Sequence, residues 1–233
     1  MVGVSRDCSA LAKALARQKV MTRFLFAILI LFLPLSTGSA QPSTEGDEGA
    51  LVLAFGDSLT AGYGLDAGLG FAPQLEDALR REGLAASVVD AGVSGDTTSG
   101  GLDRVDWTLE NLPRSPDLVI LELGGNDMLR GIDPAIVRTN LSALIERFEA
   151  EGATVLLAGM RAAPNYDPEY VATFDAIYPE LASEYGVALY PFFLEGVAAE
   201  PGMMQRDGIH PTFAGIKRIV TGILPSVEEA LDD

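Results

Sequence analysis

The chain predicts a doubly wound α/β/α sandwich built on a parallel sheet. Three observations carry this. Short apolar runs recur at residues 51–55, 87–89, 118–121, 155–158 and 187–190, and each is continuous rather than alternating, as in strands covered on both faces. Stretches with helical apolar spacing lie between them, and strand–helix alternation repeated five times closes into one layered sheet. No internal repeat and no linker interrupts the chain after residue 50.

Taken in order, the first element is a twelve-residue apolar run at 24–35, preceded by Arg23 and followed by Ser36, Thr37, Gly38, Ser39 and Ala40. A bilayer span takes about 20 residues, and small residues after a short apolar run are what a signal peptidase reads. Residues 1–40 are therefore expected to be an N-terminal extension and secretory signal cleaved after Ala40, with Met21 as an alternative start. Export, to the periplasm or the medium, follows, with no membrane span left after cleavage. Residues 41–49 are polar and aperiodic and read as a flexible leader. Residues 50–233 are expected to form one domain, acting as a monomer.

Within that domain, Phe71, Leu75, Ala78 and Leu79 fall at i, i+4, i+7 and i+8 of a first helix. Val137, Leu141, Leu144, Ile145 and Phe148 repeat the spacing, with Asp133 as N-cap and Pro134 at the first helical position. A last helix starts near Pro211 and carries Phe213, Ile216, Val220 and Ile223 on one face. Pro225 is expected to kink or end it.

Composition narrows the chemistry. The 33 acidic and 16 basic side chains give a formal charge of -17, which argues against a nucleic-acid partner. Loss of residues 1–40 removes Arg6, Lys13, Arg17, Lys19 and Arg23 but only Asp7, leaving 11 basic and 32 acidic residues and a charge of -21. The one cysteine, Cys8, leaves with them. One cysteine and one histidine make neither an internal disulfide nor a usual zinc site. Neither a metal nor an organic cofactor is expected, and any imidazole acid–base chemistry must run through His210.

Ligands of doubly wound sheets bind at the carboxyl ends of the strands, so the loops there are where chemistry is sought. Gly56-Asp57-Ser58-Leu59 follows the first strand and presents Ser58 on a tight turn; the structural alternative makes Asp57 or Ser58 a helix N-cap. Gly95, in the loop after the second strand, has an unshielded amide that could face an oxyanion, or is simply a turn glycine. Asn126, in Gly124-Gly125-Asn126-Asp127 after the third strand, could donate its side-chain N–H to the same oxyanion, or serve a turn rich in positive-φ residues. In Asp207-Gly208-Ile209-His210-Pro211, Pro211 keeps His210 extended, and Asp207 is close enough to orient its imidazole. Four strand ends thus supply what acyl transfer needs. If the strand order is 2-1-3-4-5, as in flavodoxin-like sheets, Ser58 and Asn126 are neighbours.

In this order the four blocks resemble those of the SGNH (GDSL) hydrolases. Ser94-Gly95-Asp96-Thr97, residues 121–127, residues 161–166 and residues 190–193 extend the similarity toward the periplasmic acyl-CoA thioesterase/lysophospholipase and arylesterase branch. It covers roughly residues 50–225. The resemblance implies a three-layer α/β/α fold with a flavodoxin-like five-stranded parallel sheet. It also implies Ser58 as nucleophile, His210 as base, Asp207 as its partner, and an oxyanion hole from the Ser58 and Gly95 amides and Asn126. The expected substrate is a small ester, thioester or lysophospholipid, cleaved through an acyl-enzyme on Ser58. Met128 and Leu129 are candidates for an acyl groove; Arg130 and the more distant Arg161 are candidate cations for an anionic head group.

Two rival readings come from other classes. Gly62-Tyr63-Gly64-Leu65-Asp66-Ala67 fits a dinucleotide-binding G-x-G-x-x-A, although six residues separate Phe55 from Gly62. The other is a non-catalytic exported binding module on the same scaffold.

Overall fold

A computed structural model of the chain describes residues 49–232. The expected signal segment and all of the leader but Gly49 lie outside the described residues. In chain order the elements are β1 (Ala50–Gly56), α1 (Phe71–Arg81), β2 (Ala86–Gly92), α2 (Thr98–Glu110), β3 (Leu118–Glu122), a short α3 (Gly125–Leu129), α4 (Pro134–Ala150), β4 (Thr154–Ala158), α5 (Pro168–Tyr185), β5 (Ala188–Tyr190) and α6 (Phe213–Asp232).

The sheet order is β2-β1-β3-β4-β5, with every neighbouring pair parallel. Helices α1 and α6 pack together on one side, and α2, α4 and α5 pack in sequence on the other. The three central strands are almost wholly buried, which explains their unbroken apolar runs. Phe55 and Phe148 meet edge-to-face at 5.2 Å, and Phe71 and Phe193 at 5.1 Å. Each such ring contributes roughly 1.5–3 kcal/mol by leaving water. In this register Gly56 lies opposite Gly92 on one side and Glu122 on the other, so the loops after β1, β2 and β3 open side by side.

Some sequence expectations change. β2 is an edge strand, with Ser87 and Asp90 exposed and Val88 and Val89 half-buried, not one covered on both faces. The stretch after β3 is not an open loop: Gly124, at φ 114°, starts the short helix α3. Asp133 does cap α4, accepting from the Ala135 amide at 2.9 Å. Pro225 does not end α6, which runs on to Asp232 with Val227 and Ala230 buried beyond the proline. Burial of that face offsets the roughly 3 kcal/mol that an interior proline costs a helix.

Candidate active site

The serine turn begins where β1 leaves the sheet. Asp57 Oδ1 accepts the Leu59 amide at 2.9 Å, closing the chain into a turn, and Ala61 N bonds the Asp57 carbonyl at 3.0 Å. Neither Asp57 nor Ser58 caps the next helix, whose N-cap is Gly70. Gly56 is required because a Cβ there would collide with Thr60 Oγ1 and lie 2.6 Å from Glu122 Oε2. The turn leaves Ser58 only 7% exposed at the floor of a cleft of about 680 Å³.

The loop before α6 delivers the partner. Met204 and Pro211 form an isolated antiparallel bridge, and Gly208, at φ 71°, turns the chain between them. Asp207 Oδ1 accepts the amides of Ile209 (2.9 Å) and His210 (3.1 Å), which frees Oδ2 to meet His210 Nδ1 at 2.7 Å. The opposite ring nitrogen, Nε2, is 3.0 Å from Ser58 Oγ. The bond to His210, then the two amides, hold the Asp207 carboxyl down at about 2. It is therefore an anion at neutral pH. Gln205 ties this loop to the serine turn, its Nε2 donating to the carbonyls of Tyr63 (2.7 Å) and Pro211 (2.9 Å). Tyr63 packs on the imidazole at 4.4 Å between ring centroids.

Gly95 and Asn126 line the same cleft. Gly95, at φ 84°, occupies the left-handed region that favours glycine. Arg130 is exposed and absent from the cleft lining; its guanidinium donates to the Gly95 carbonyl at 2.7 Å and so holds that loop in place. Asp96 is fixed by Arg104 at 2.7 Å, and Arg104 also donates to the Gly56 carbonyl at 2.9 Å, joining the first two loops. The third loop is joined to the second by Asp127, fully buried, whose oxygens accept the Thr98 amide (2.9 Å) and hydroxyl (2.7 Å) at the start of α2. Met128 and Leu129 line the cleft with Tyr63, Met160, Phe192 and Ile209. Arg161 also lines it, its guanidinium 4.9 Å from the Phe192 ring centre and 3.8 Å from Glu195.

Beneath the turn lies a second carboxyl that loop-by-loop reading does not find. Glu122, 1% exposed, accepts the Thr60 hydroxyl (2.8 Å) and the Asp57 amide (3.3 Å) through Oε2, while Oε1 has no hydrogen-bond partner. Burial, and then the neighbouring Asp57, push Glu122 well above the usual carboxyl range. Burial likewise raises Asp57 to about 6 against the pull of its bonds to Leu59 and Asn126. The available signal was a lone glutamate inside the apolar stretch Leu118-Val119-Ile120-Leu121-Glu122-Leu123. Among the described residues no group of three or more His, Cys, Asp and Glu converges to hold a metal ion.

A buried hydroxyl against an imidazole, with a carboxylate on the imidazole's far nitrogen, can move one proton off the serine and return it to a leaving group. With that relay at the carboxyl edge of a doubly wound sheet, the class is that of the α/β/α serine hydrolases. The comparisons narrow it: the profile of the GDSL-like lipase/acylhydrolase family matches residues 54–218, and the chain belongs to that family. It is 44% identical over 180 residues to the esterase TesA of Pseudomonas aeruginosa, covering 77% of this chain and 89% of the relative. It is 39% identical over 188 residues to thioesterase 1/protease 1/lysophospholipase L1 of Escherichia coli K12, covering 81% and 82%. The solved structure of AlinE4, an SGNH-hydrolase family esterase, aligns with a TM-score of 0.67 at 49% identity, covering 79% of this chain and 97% of that one.

The dinucleotide reading fails on position. Gly62 and Gly64 sit in turns well before α1, and Gly62 packs on Gly70, so these glycines do not open a helix N-terminus onto a strand end.

Proposed function

We propose that this chain, an ester hydrolase of its family, works through Ser58 as nucleophile, His210 as general base and Asp207 as the acid that orients it. The observation that carries this is the unbroken run Ser58 Oγ–His210 Nε2 (3.0 Å) and His210 Nδ1–Asp207 Oδ2 (2.7 Å). His210 takes the Ser58 proton as Oγ attacks the acyl carbon. The amides of Ser58 and Gly95 and the Asn126 side chain receive the negative charge on the carbonyl oxygen. The alcohol or thiol leaves with the proton from His210, and water then releases the acid from Ser58 by the same steps. The apolar wall of Met128, Leu129, Met160 and Phe192 supports an acyl chain as the part of the substrate that is held.

Neutral or zwitterionic carboxylic esters, lysophospholipids among them, suit the protein's strongly negative charge better than acyl-CoA phosphates do. Export is supported by the apolar run at 24–35 and the small residues ending at Ala40. Among the described residues no helix is long and apolar enough to cross a membrane.

The test is a panel of acyl esters, thioesters and lysophospholipids of graded chain length on the protein beginning at Gln41, with Ser58→Ala as control. The variant is expected to lose at least ~10³ in turnover, and an organophosphonate is expected to label Ser58 alone. Near-wild-type hydrolysis by Ser58→Ala would show that the chemistry lies elsewhere.

A further inference from the structure

We infer that Asp57 is a positioning residue: its buried carboxylate holds the Asn126 amide with nitrogen, not oxygen, turned toward the developing oxyanion. This rests on the reading of Asn126 as an oxyanion donor. An asparagine presents a donor and an acceptor of nearly the same shape, and a half-turn of its last bond exchanges them. With nitrogen toward the oxyanion the site stabilises the negative charge; with oxygen toward it the site repels that charge.

The structure holds a device that selects the productive face. Asn126 Nδ2 donates one hydrogen to Asp57 Oδ2 at 2.8 Å, and the second remains for the cleft that Asn126 lines. The other carboxylate oxygen, Oδ1, accepts the Leu59 amide at 2.9 Å. Two donors thus converge on the two oxygens of one side chain, and only a carboxylate accepts at both. Turning the Asn126 amide over would set its carbonyl oxygen against Asp57 Oδ2, two acceptors in a site where Asp57 is 2% exposed.

The carboxylate is itself held on several sides. Gly125, which precedes Asn126, lies beside it, an added Cβ there falling at ordinary contact distance, 3.4 Å, from Asp57 Oδ2. The Asp57 amide is bonded to Glu122 Oε2. The charged or titratable groups facing Asp57 are Glu122 from β3, His210 from the loop before α6, Asp96 from the loop after β2 and Tyr178 from α5. With its carboxyl at about 6, Asp57 is ionised at pH 8.

Four proteins decide the matter: wild type, Asp57→Asn, Asn126→Ala and the double variant, assayed at pH 8 on a short-chain aryl ester. Asp57→Asn keeps the shape but sets a donor against either Leu59 N–H or Asn126. It is expected to lower kcat by about 10- to 10²-fold, part of what loss of a whole oxyanion donor costs, and to leave KM within about twofold. Inhibition by an alkylboronic acid, whose serine adduct is tetrahedral, is expected to weaken in parallel with kcat. Because Asp57 acts through Asn126, the same change in the Asn126→Ala background is expected to cost less than about threefold.

Losses that simply multiply in the double variant, or a raised KM at unchanged kcat, would overturn the inference while leaving the Ser58 site standing. An Asn126→Ala enzyme of wild-type kcat would overturn both the inference and the reading of Asn126 as an oxyanion donor, on which it rests. A measurement on the wild-type protein needs no folded Asp57 variant: the two Asn126 Nδ2 protons, assigned by their loss in Asn126→Ala, are followed by NMR. They are expected to shift as Asp57 titrates, the one bonded to Asp57 Oδ2 the more. Shifts that do not change with pH would mean that no carboxylate holds the amide.

Discussion

At the scale of single residues, Glu122 makes the sharpest demand on physical chemistry. A carboxyl 1% exposed, with one oxygen unpartnered, is pushed by burial toward its protonated form, because an unpaired buried charge costs far more than a neutral acid. Its folded value is raised, so the native state binds the proton more tightly than the unfolded chain. The stability it contributes is full below the ordinary carboxyl range and is lost as pH rises through the raised folded value. Asp57, raised to about 6, works in the same direction; Asp207, lowered to about 2, contributes stability that is lost only as pH falls toward 2. Glu122→Gln preserves the neutral shape and an acceptor for Thr60 and the Asp57 amide, but cannot ionise. Its urea-unfolding free energy, followed from pH 5 to 9, is expected to fall less steeply than that of the wild type. Parallel profiles would mean that Glu122 does not carry the titration.

At the scale of elements, the junction of β1 with the serine turn depends on the absence of a side chain at Gly56. An added methyl would press on Thr60, on Glu122 Oε2 at 2.6 Å and on the Glu122 carbonyl at 2.7 Å. The carbonyl belongs to a central strand and has nowhere to go. Gly56→Ala is expected to destabilise the protein by about 1–3 kcal/mol, as overpacking does, and to lower kcat by displacing Ser58. An unchanged urea midpoint would show that the junction has room. Helix α2 makes a different point about legibility. Its sequence opens Thr98-Ser99-Gly100-Gly101, a poor start for a helix, although Leu102, Val105 and Leu109 beyond it follow the helical spacing. It forms because the Thr97 hydroxyl caps Gly100 and the buried Asp127, from the loop after β3, accepts the Thr98 amide and hydroxyl. Asp127 is 29 residues away, so no local pattern announces it.

At the scale of the whole molecule, charge is the dominant feature. A formal charge of -17 makes the native state repel itself, and salt screens that repulsion, from a Debye length of about 30 Å at 0.01 M to about 3 Å at 1 M. The ion pairs that salt would weaken, such as Arg138–Glu184 and Arg147–Asp106, are largely exposed and contribute little. The melting temperature is therefore expected to rise by several degrees between 0.01 and 1 M NaCl in a thermal melt. A flat or falling melting temperature would mean that those pairs outweigh the repulsion.

The sequence by itself determined the layered α/β architecture, because strands buried on both faces must be continuously apolar and the intervening faces must follow the helical period. It also determined where a serine, an imidazole and a carboxylate could meet, since one histidine left one possible base and Asp207 stood three residues from it. Only the tertiary structure decided what supports those groups. The parallel register of β1 with β3 sets Glu122 beneath the Asp57 amide and Asp57 against Asn126, contacts that span 65 and 69 residues of chain. The folded loop set likewise joins Arg130 to the Gly95 carbonyl, 35 residues away in the chain. Periodicity and turn chemistry are local and can be read along the chain; the partner of a buried polar group is chosen by whichever segment packing brings against it.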